Sequence, residues 1–194
     1  MSANDLEADA AIIRVSFDIE QISSDLVWRA AELKSNRDLF ATVGRFAGAV
    51  HLRQDDAVTV QVTAYGGEDA LVTINVIDAM LYTVPHTSGG VFCAPSPFSK
   101  VRATMPVGQW APAEIHRCPE RKLKLAVQTS LAPLQVVETD GRWKLSLIIT
   151  VLIERYVSGQ KMSEIRVFSF DPEAEVGSGT EPPTETGPSF GSRG

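Results

Sequence analysis

The chain is poor in most of the residues that mark catalytic, secreted or membrane proteins. Two cysteines among 194 residues cannot staple a disulfide-dense extracellular scaffold. Three histidines, His51, His86 and His116, leave few imidazole bases or metal ligands. There is no excess of basic charge: the net charge of −6 argues against nucleic acid as a default partner. The longest apolar stretch, Leu145 to Ile153, is interrupted by Ser146 and Thr150. It falls well short of the roughly 20 residues that a bilayer-spanning helix needs. The opening segment, Met1 to Ala11, carries Asp5, Glu7 and Asp9 and no basic residue, unlike a secretory signal. No Asn-x-Ser/Thr acceptor occurs. These absences predict a cytoplasmic protein with Cys93 and Cys118 as free thiols, release by a signal-less route being the alternative.

Catalytic signatures are missing as well. There is no Gly-x-Ser-x-Gly elbow, no phosphate-binding Gly-x-x-x-x-Gly-Lys-Ser/Thr and no Gly-x-Gly-x-x-Gly. Asp55 and Asp56 are adjacent in a turn, so their side chains diverge; a glycosidase pair must converge across about 5 to 9.5 Å. His86, Cys93, His116 and Cys118 lie in one stretch, but their spacing matches no zinc finger or ribbon. Arg117, Arg121, Lys122 and Lys124 are interleaved with Glu114 and Glu120, and the two lysines are predicted on a solvated strand face. The expectation is no catalytic group, no cofactor, no metal, no nucleic-acid partner and no membrane span.

What the chain does contain is apolar patterning. Apolar residues make up 44 %, enough for a core. Residues 1–9 form an acidic leader and residues 177–194 a Gly/Pro/Ser/Thr-rich tail. Neither buries enough apolar surface to offset its ordering entropy, so both are predicted disordered around one domain over 10–176. Within that domain Ile13, Val15, Phe17 and Ile19 alternate with Arg14, Ser16 and Asp18, the period of a half-buried strand. Val58 to Ala64, Val72 to Val76 and Leu123 to Val127 alternate likewise. From Trp143 to Ile153 the pattern is apolar on one face and partly apolar on the other, through Ile148 and Leu152. That pattern predicts a central strand covered on both faces. Asp140-Gly141, Gln54-Asp55-Asp56 and Ser158-Gly159 are read as hairpin turns.

One helix is expected near the N-terminus. Ile19, Ile22, Leu26, Ala30 and Leu33 share a helical face, and Asp18 with Gln21 forms a capping box. Six prolines between Pro85 and Pro119 predict long loops there, with a short strand at Lys100–Thr104. Such loops are a usual place for binding. The candidate ligand or glycan contacts are therefore Tyr82, His86, Trp110, Glu114 and His116, while Trp28 is assigned to the core.

The C-terminal stretch is the most distinctive. It reads Trp143-Lys-Leu-Ser-Leu, then Ile149-Thr-Val, then Arg166-Val-Phe-Ser-Phe-Asp-Pro-Glu173. Over about thirty residues it resembles the end of the bacterial AidA/PixA-type inclusion-body protein family. That family carries a Trp-Arg segment on a strand in its first half, whereas Trp28-Arg29 here falls on the expected helix. The resemblance implies a cytoplasmic bacterial all-β protein that accumulates in quantity, has no known enzymatic activity and offers no functional residue to carry over.

Together these readings predict an all-β antiparallel sandwich, jelly-roll-like, with seven to nine strands and one early helix. The predicted function is non-catalytic: self-association, as a homodimer or larger, or ligand binding. The alternatives are a lectin-like glycan module using the loops of 85–119 and a small β-barrel hydrolase or isomerase.

Overall fold

The computed structural model of the chain describes residues 10–39, 49–86 and 94–177. The predicted leader, nearly all of the predicted tail and Cys93 lie outside the described residues. Twelve strands occur among them: β1 (Ala10–Asp18), β2 (Val27–Glu32), β3 (Val50–Leu52), β4 (Ala57–Gly67), β5 (Leu71–Pro85), β6 (Thr104–Pro106), β7 (Glu114–Cys118), β8 (Leu123–Thr129), β9 (Leu134–Gln135), β10 (Gly141–Val157), β11 (Gln160–Phe170) and β12 (Glu173–Val176). They form two sheets. The first runs β2-β1-β4-β8-β7, with β9 also on β4; the second runs β3-β12-β10-β5-β6, with β11 also on β10. The fold is the expected β-sandwich. Each sheet is mixed, because β1 pairs with β4 and β12 with β3 in parallel.

The core is built from the residues whose period-two pattern marks them. Phe17 stacks on Phe168 across the sandwich at 4.1 Å between ring centroids, and Trp28 leans on Phe170 at 5.3 Å. Val58, Val60, Val62 and Ala64 face the interior from β4. Trp143, Leu145, Leu147, Ile149, Val151 and Ile153 face it from β10. Burying six such side chains is worth on the order of 10 kcal/mol before the entropy of ordering them is charged.

The expected helix is not formed. Val27–Glu32 is β2, antiparallel to β1. Ile22 is 99 % exposed, so the helical stripe does not exist as a face. The capping chemistry is real but closes a single turn. The Asp18 N–H donates to Gln21 Oε1 at 3.0 Å, and the Glu20 N–H donates to Asp18 Oδ1 at 2.8 Å. The Gln21 side-chain amide then donates to the carbonyls of Ser23 and Asp25, bending the chain back before a second turn can start. Pairing of all six residues of β2 with β1, with Ala30 in the core and Trp28 packed against it, outweighs the helical spacing. Trp28 and Arg29 thus lie on a strand and not on the expected helix.

Two expected hairpins are crossings between sheets. Asp140-Gly141 joins β9, in the first sheet, to β10, in the second, and the Gln54–Asp56 turn joins β3 to β4 in the opposite sense. The third is a hairpin: Val157 pairs with Gln160, and Ser158 and Gly159 have φ of 51° and 79°, as a two-residue type I′ turn requires. The strand expected at Lys100–Thr104 is displaced to β6, and β7 forms inside the predicted loop region.

On β8 the faces are reversed from expectation. Ala126 and Gln128 point inward, while Leu123, Leu125 and Val127 lie half-buried on the outside. The interior accepts the polar residues because they are satisfied. Gln128 Oε1 accepts from the Val76 N–H at 2.7 Å, and Nε2 donates to the Ala111 carbonyl at 2.9 Å. Ser130 Oγ accepts from the Val60 N–H at 3.0 Å. Lys124 shares that parity, and its ammonium donates to the Leu71 carbonyl at 2.7 Å rather than standing on a solvated face.

Gly141 shows how tightly β10 begins. Its φ is +136°, and a Cβ there would meet Trp143 Cη2 at 2.5 Å. The indole cannot retreat, being fully buried and donating from Nε1 to the Ala94 carbonyl at 2.8 Å. Gly159, at φ +79°, has open space around its Cβ position. Gly141→Ala should therefore cost about 3 kcal/mol, against about 1 kcal/mol for Gly159→Ala, in urea denaturation. Equal costs would contradict the packing described for Trp143.

Candidate functional site

The structure divides the five candidate contact residues among three places. Tyr82 and His86 share the outer side of the second sheet, Tyr82 on β5 opposite Ser146 and His86 just past the end of that strand. Glu114 and His116 lie on β7, opposite Val127 and Leu125, and so belong to the outer side of the first sheet. Trp110 sits at the end of β8, bridged to Ser130 and packed on the core. Its indole N–H is buried with no hydrogen-bond partner among the described residues. The loop carrying it is pinned by the Ala111 N–H on Thr129 and the Leu131 N–H on Gln109, both backbone bonds. His86 and His116 are on opposite sides of the sandwich. No group of three or more metal-ligating side chains converges among the described residues.

Around Tyr82 and His86 the outer side of the second sheet is polar. Arg142 pairs with Glu173 through Nη2, and His86 Nε2 stands 3.6 Å from the other oxygen of the same carboxylate. Ser146 Oγ donates to Asp171 Oδ1 at 2.5 Å. Lys144 lies between Val84 and Glu173 in the register. Sequence reading missed Arg142, Ser146, Asp171 and Glu173. They come together only because β12 joins the β11 side of β10 while β5 takes the other, a pairing no local pattern announces. Asp55 and Asp56 do diverge: the first is exposed in the turn at φ 69°, and the second is buried and accepts from the Arg53 N–H at 2.7 Å.

The middle of the same outer face carries apolar side chains among a few polar ones, Thr150 opposite Asp78 included. From β10, Ile148 and Leu152 stand beside Ser169 and Ile165 of β11 and Met80 and Asn75 of β5. Ile165 is 64 % and Val167 55 % exposed. A register shift between Thr150 and Val151 leaves Ile77 as the extra residue of a bulge, and it too is exposed. Of the cover predicted on both faces of β10, the described residues supply one side. Its inner face is closed by the first sheet, and no described residue forms a layer on the outer one.

The edge beside this face is open. Among the described strands β11 pairs only with β10. At its far end the Ser169 N–H donates to the Ser24 carbonyl at 2.9 Å and its carbonyl accepts from the Leu26 N–H at 3.1 Å. Arg166, stacked over Phe168 at 4.8 Å, reaches the carbonyls of Ile19 and Ser23. The turn after β1 thus plugs the edge at Ser169, and no other described segment pairs with that edge of β11. Among the other edges, those of β2, β3 and β6 are covered or blunted, and β7 ends the first sheet with no described strand beyond it. Leu39 donates to the Ala30 carbonyl on the β2 edge and accepts from the His51 N–H on the β3 edge, and β6 is three residues long with Pro106 in it.

No protein-family model matches the chain, and no curated protein matches it. Among solved structures it is similar to an inclusion body protein, PixA, from Burkholderia cenocepacia J2315. The identity is 10 %, the match covers 91 % of this chain and 99 % of that one, and the TM-score is 0.34. No helix among the described residues is long and apolar enough to cross a membrane.

Proposed function

We propose that this chain is a non-catalytic β-sandwich protein that self-associates through the second sheet. One observation carries the reading: the outer face of β10 and β11 exposes Ile148, Ile165 and Val167, and no described residue covers it. An apolar strand face left open gains about 25 cal/mol for each Å² it later removes from water. Contiguous exposed apolar patches on soluble proteins mark interaction surfaces. A second copy is the partner that is always available and needs no further recognition chemistry, and most soluble oligomers are symmetric homo-oligomers. The few scattered histidines and the diverging Asp55 and Asp56 support the non-catalytic part of the reading.

A second reading rests on the polar end of the same face. Tyr82, His86, Arg142 and Glu173 offer a ring, an imidazole and paired charges, a set suited to a sugar or a small polar ligand. A glycan array tests it. A binder lost on Tyr82→Ala supports a contact there, and an array without binders removes this reading.

Sedimentation analysis over a wide concentration range tests the main proposal. The protein should populate dimers or larger species, and Ile148→Lys with Val167→Lys should weaken association about tenfold or more without changing the far-ultraviolet spectrum. A monomer at every concentration would overturn it.

A further inference from the structure

We infer that the free edge of β11 is completed by β11 of a second copy, running antiparallel about a two-fold axis at Ser163. This rests on the self-association proposed above and specifies its contact. The two-residue turn makes Val157 and Gln160 the closing pair, and the two backbone bonds of Ser169 point away from β10. With a period of two, Lys161, Ser163, Ile165 and Val167 therefore also direct their N–H and C=O groups away from β10. None of these four backbones has a hydrogen-bond partner among the described residues. An edge of this kind, beside an apolar face, is a template for another strand.

The register follows from what bounds the edge. The turn at Ser158-Gly159 ends it on one side, and the segment Ser24–Leu26 blocks it at Ser169 on the other. A two-fold axis at Ile165 would drive the partner's Lys161 onto Ser169, where that segment already sits. An axis at Glu164 would set two carboxylates opposite one another, a destabilising pair. An axis at Ser163 avoids both. It places Lys161 opposite the partner's Ile165, Met162 opposite the partner's Glu164 and Gln160 opposite the partner's Arg166. Glu164 and Arg166 are meanwhile held in their own protomer, by Arg155 and by the Ile19 and Ser23 carbonyls. The pairing forms about six interchain hydrogen bonds. It also joins the two exposed Ile165–Val167 strips into one apolar face on a doubled sheet. The other open edge, β7, has five residues, three of them Glu114, His116 and Arg117. It has neither the length nor the apolar flank.

Ser163→Pro is the direct test, because it removes an N–H directed at the partner and none directed at β10. The dimer dissociation constant should rise about tenfold or more, with Ser163→Ala unchanged. Should the proline variant fail to fold, cysteine cross-linking decides. With Cys93 and Cys118 replaced by serine, Ser163→Cys should oxidise to a covalent dimer, because facing residues of a hydrogen-bonded pair lie about 5.5 Å apart at Cα. Ile165→Cys should not. A protein that associates normally as Ser163→Pro, or fails to cross-link at Ser163, overturns this contact and leaves self-association standing. A wild type that is monomeric throughout overturns the proposed function itself.

Discussion

The structure depends on the inner face of β10. Six side chains from Trp143 to Ile153 are buried in a row, and each faces apolar groups of the first sheet or of its neighbours in the second. β5 is registered along this strand from Pro85 to Leu71, β11 along its second half and β12 along its first four residues. The Phe17–Phe168 stack then fixes the separation of the layers at the centre, and Arg166 over Phe168 closes the end. Removing large side chains from such a row creates cavities that cost several kcal/mol each, so the whole second sheet is expected to fail together.

The same strand explains why the protein has an interaction surface. Its sequence is apolar on both faces because Ile148 and Leu152 alternate with the core row. The described residues supply one covering layer, and inside it Gln128 and Ser130 have hydrogen bonds. On the outside Ile165 and Val167 are exposed next to a strand edge whose backbone groups have no partner among the described residues. Apolar surface and open hydrogen-bonding capacity lie side by side, which is the condition under which a sheet grows by adding another strand.

Much of the fold was legible because period-two alternation is a direct consequence of strand geometry. Ile13–Ile19, Val58–Ala64 and Trp143–Ile153 locate β1, β4 and β10, whose ends differ from these bounds by one to four residues. Three things were not legible. Leu26, Ala30 and Leu33 fit a helix by spacing, and only the side chain of Gln21, spent on two carbonyls, shows why no helix starts. The faces of β8 depend on Val76 and Ala111, which are remote in sequence and satisfy Gln128. The cluster of His86, Arg142 and Glu173 exists only through the pairing order β12-β10-β5, which has no local signal. Of the five expected contact residues, the structure keeps Tyr82 with His86 and Glu114 with His116, on opposite sides of the sandwich, and sets Trp110 apart from both pairs, because contacts between sheets are not encoded in neighbouring residues.

Amide hydrogen exchange as a function of protein concentration addresses the central claim most directly. Exchange reports backbone groups that become hydrogen-bonded, residue by residue. The N–H groups of Lys161, Ser163 and Ile165 point away from β10, so they should exchange fast in dilute protein and become protected as concentration rises. The amides of Met162 and Glu164, already bonded to β10, should change little. Amides at 161, 163 and 165 that exchange equally fast at every concentration would contradict the account.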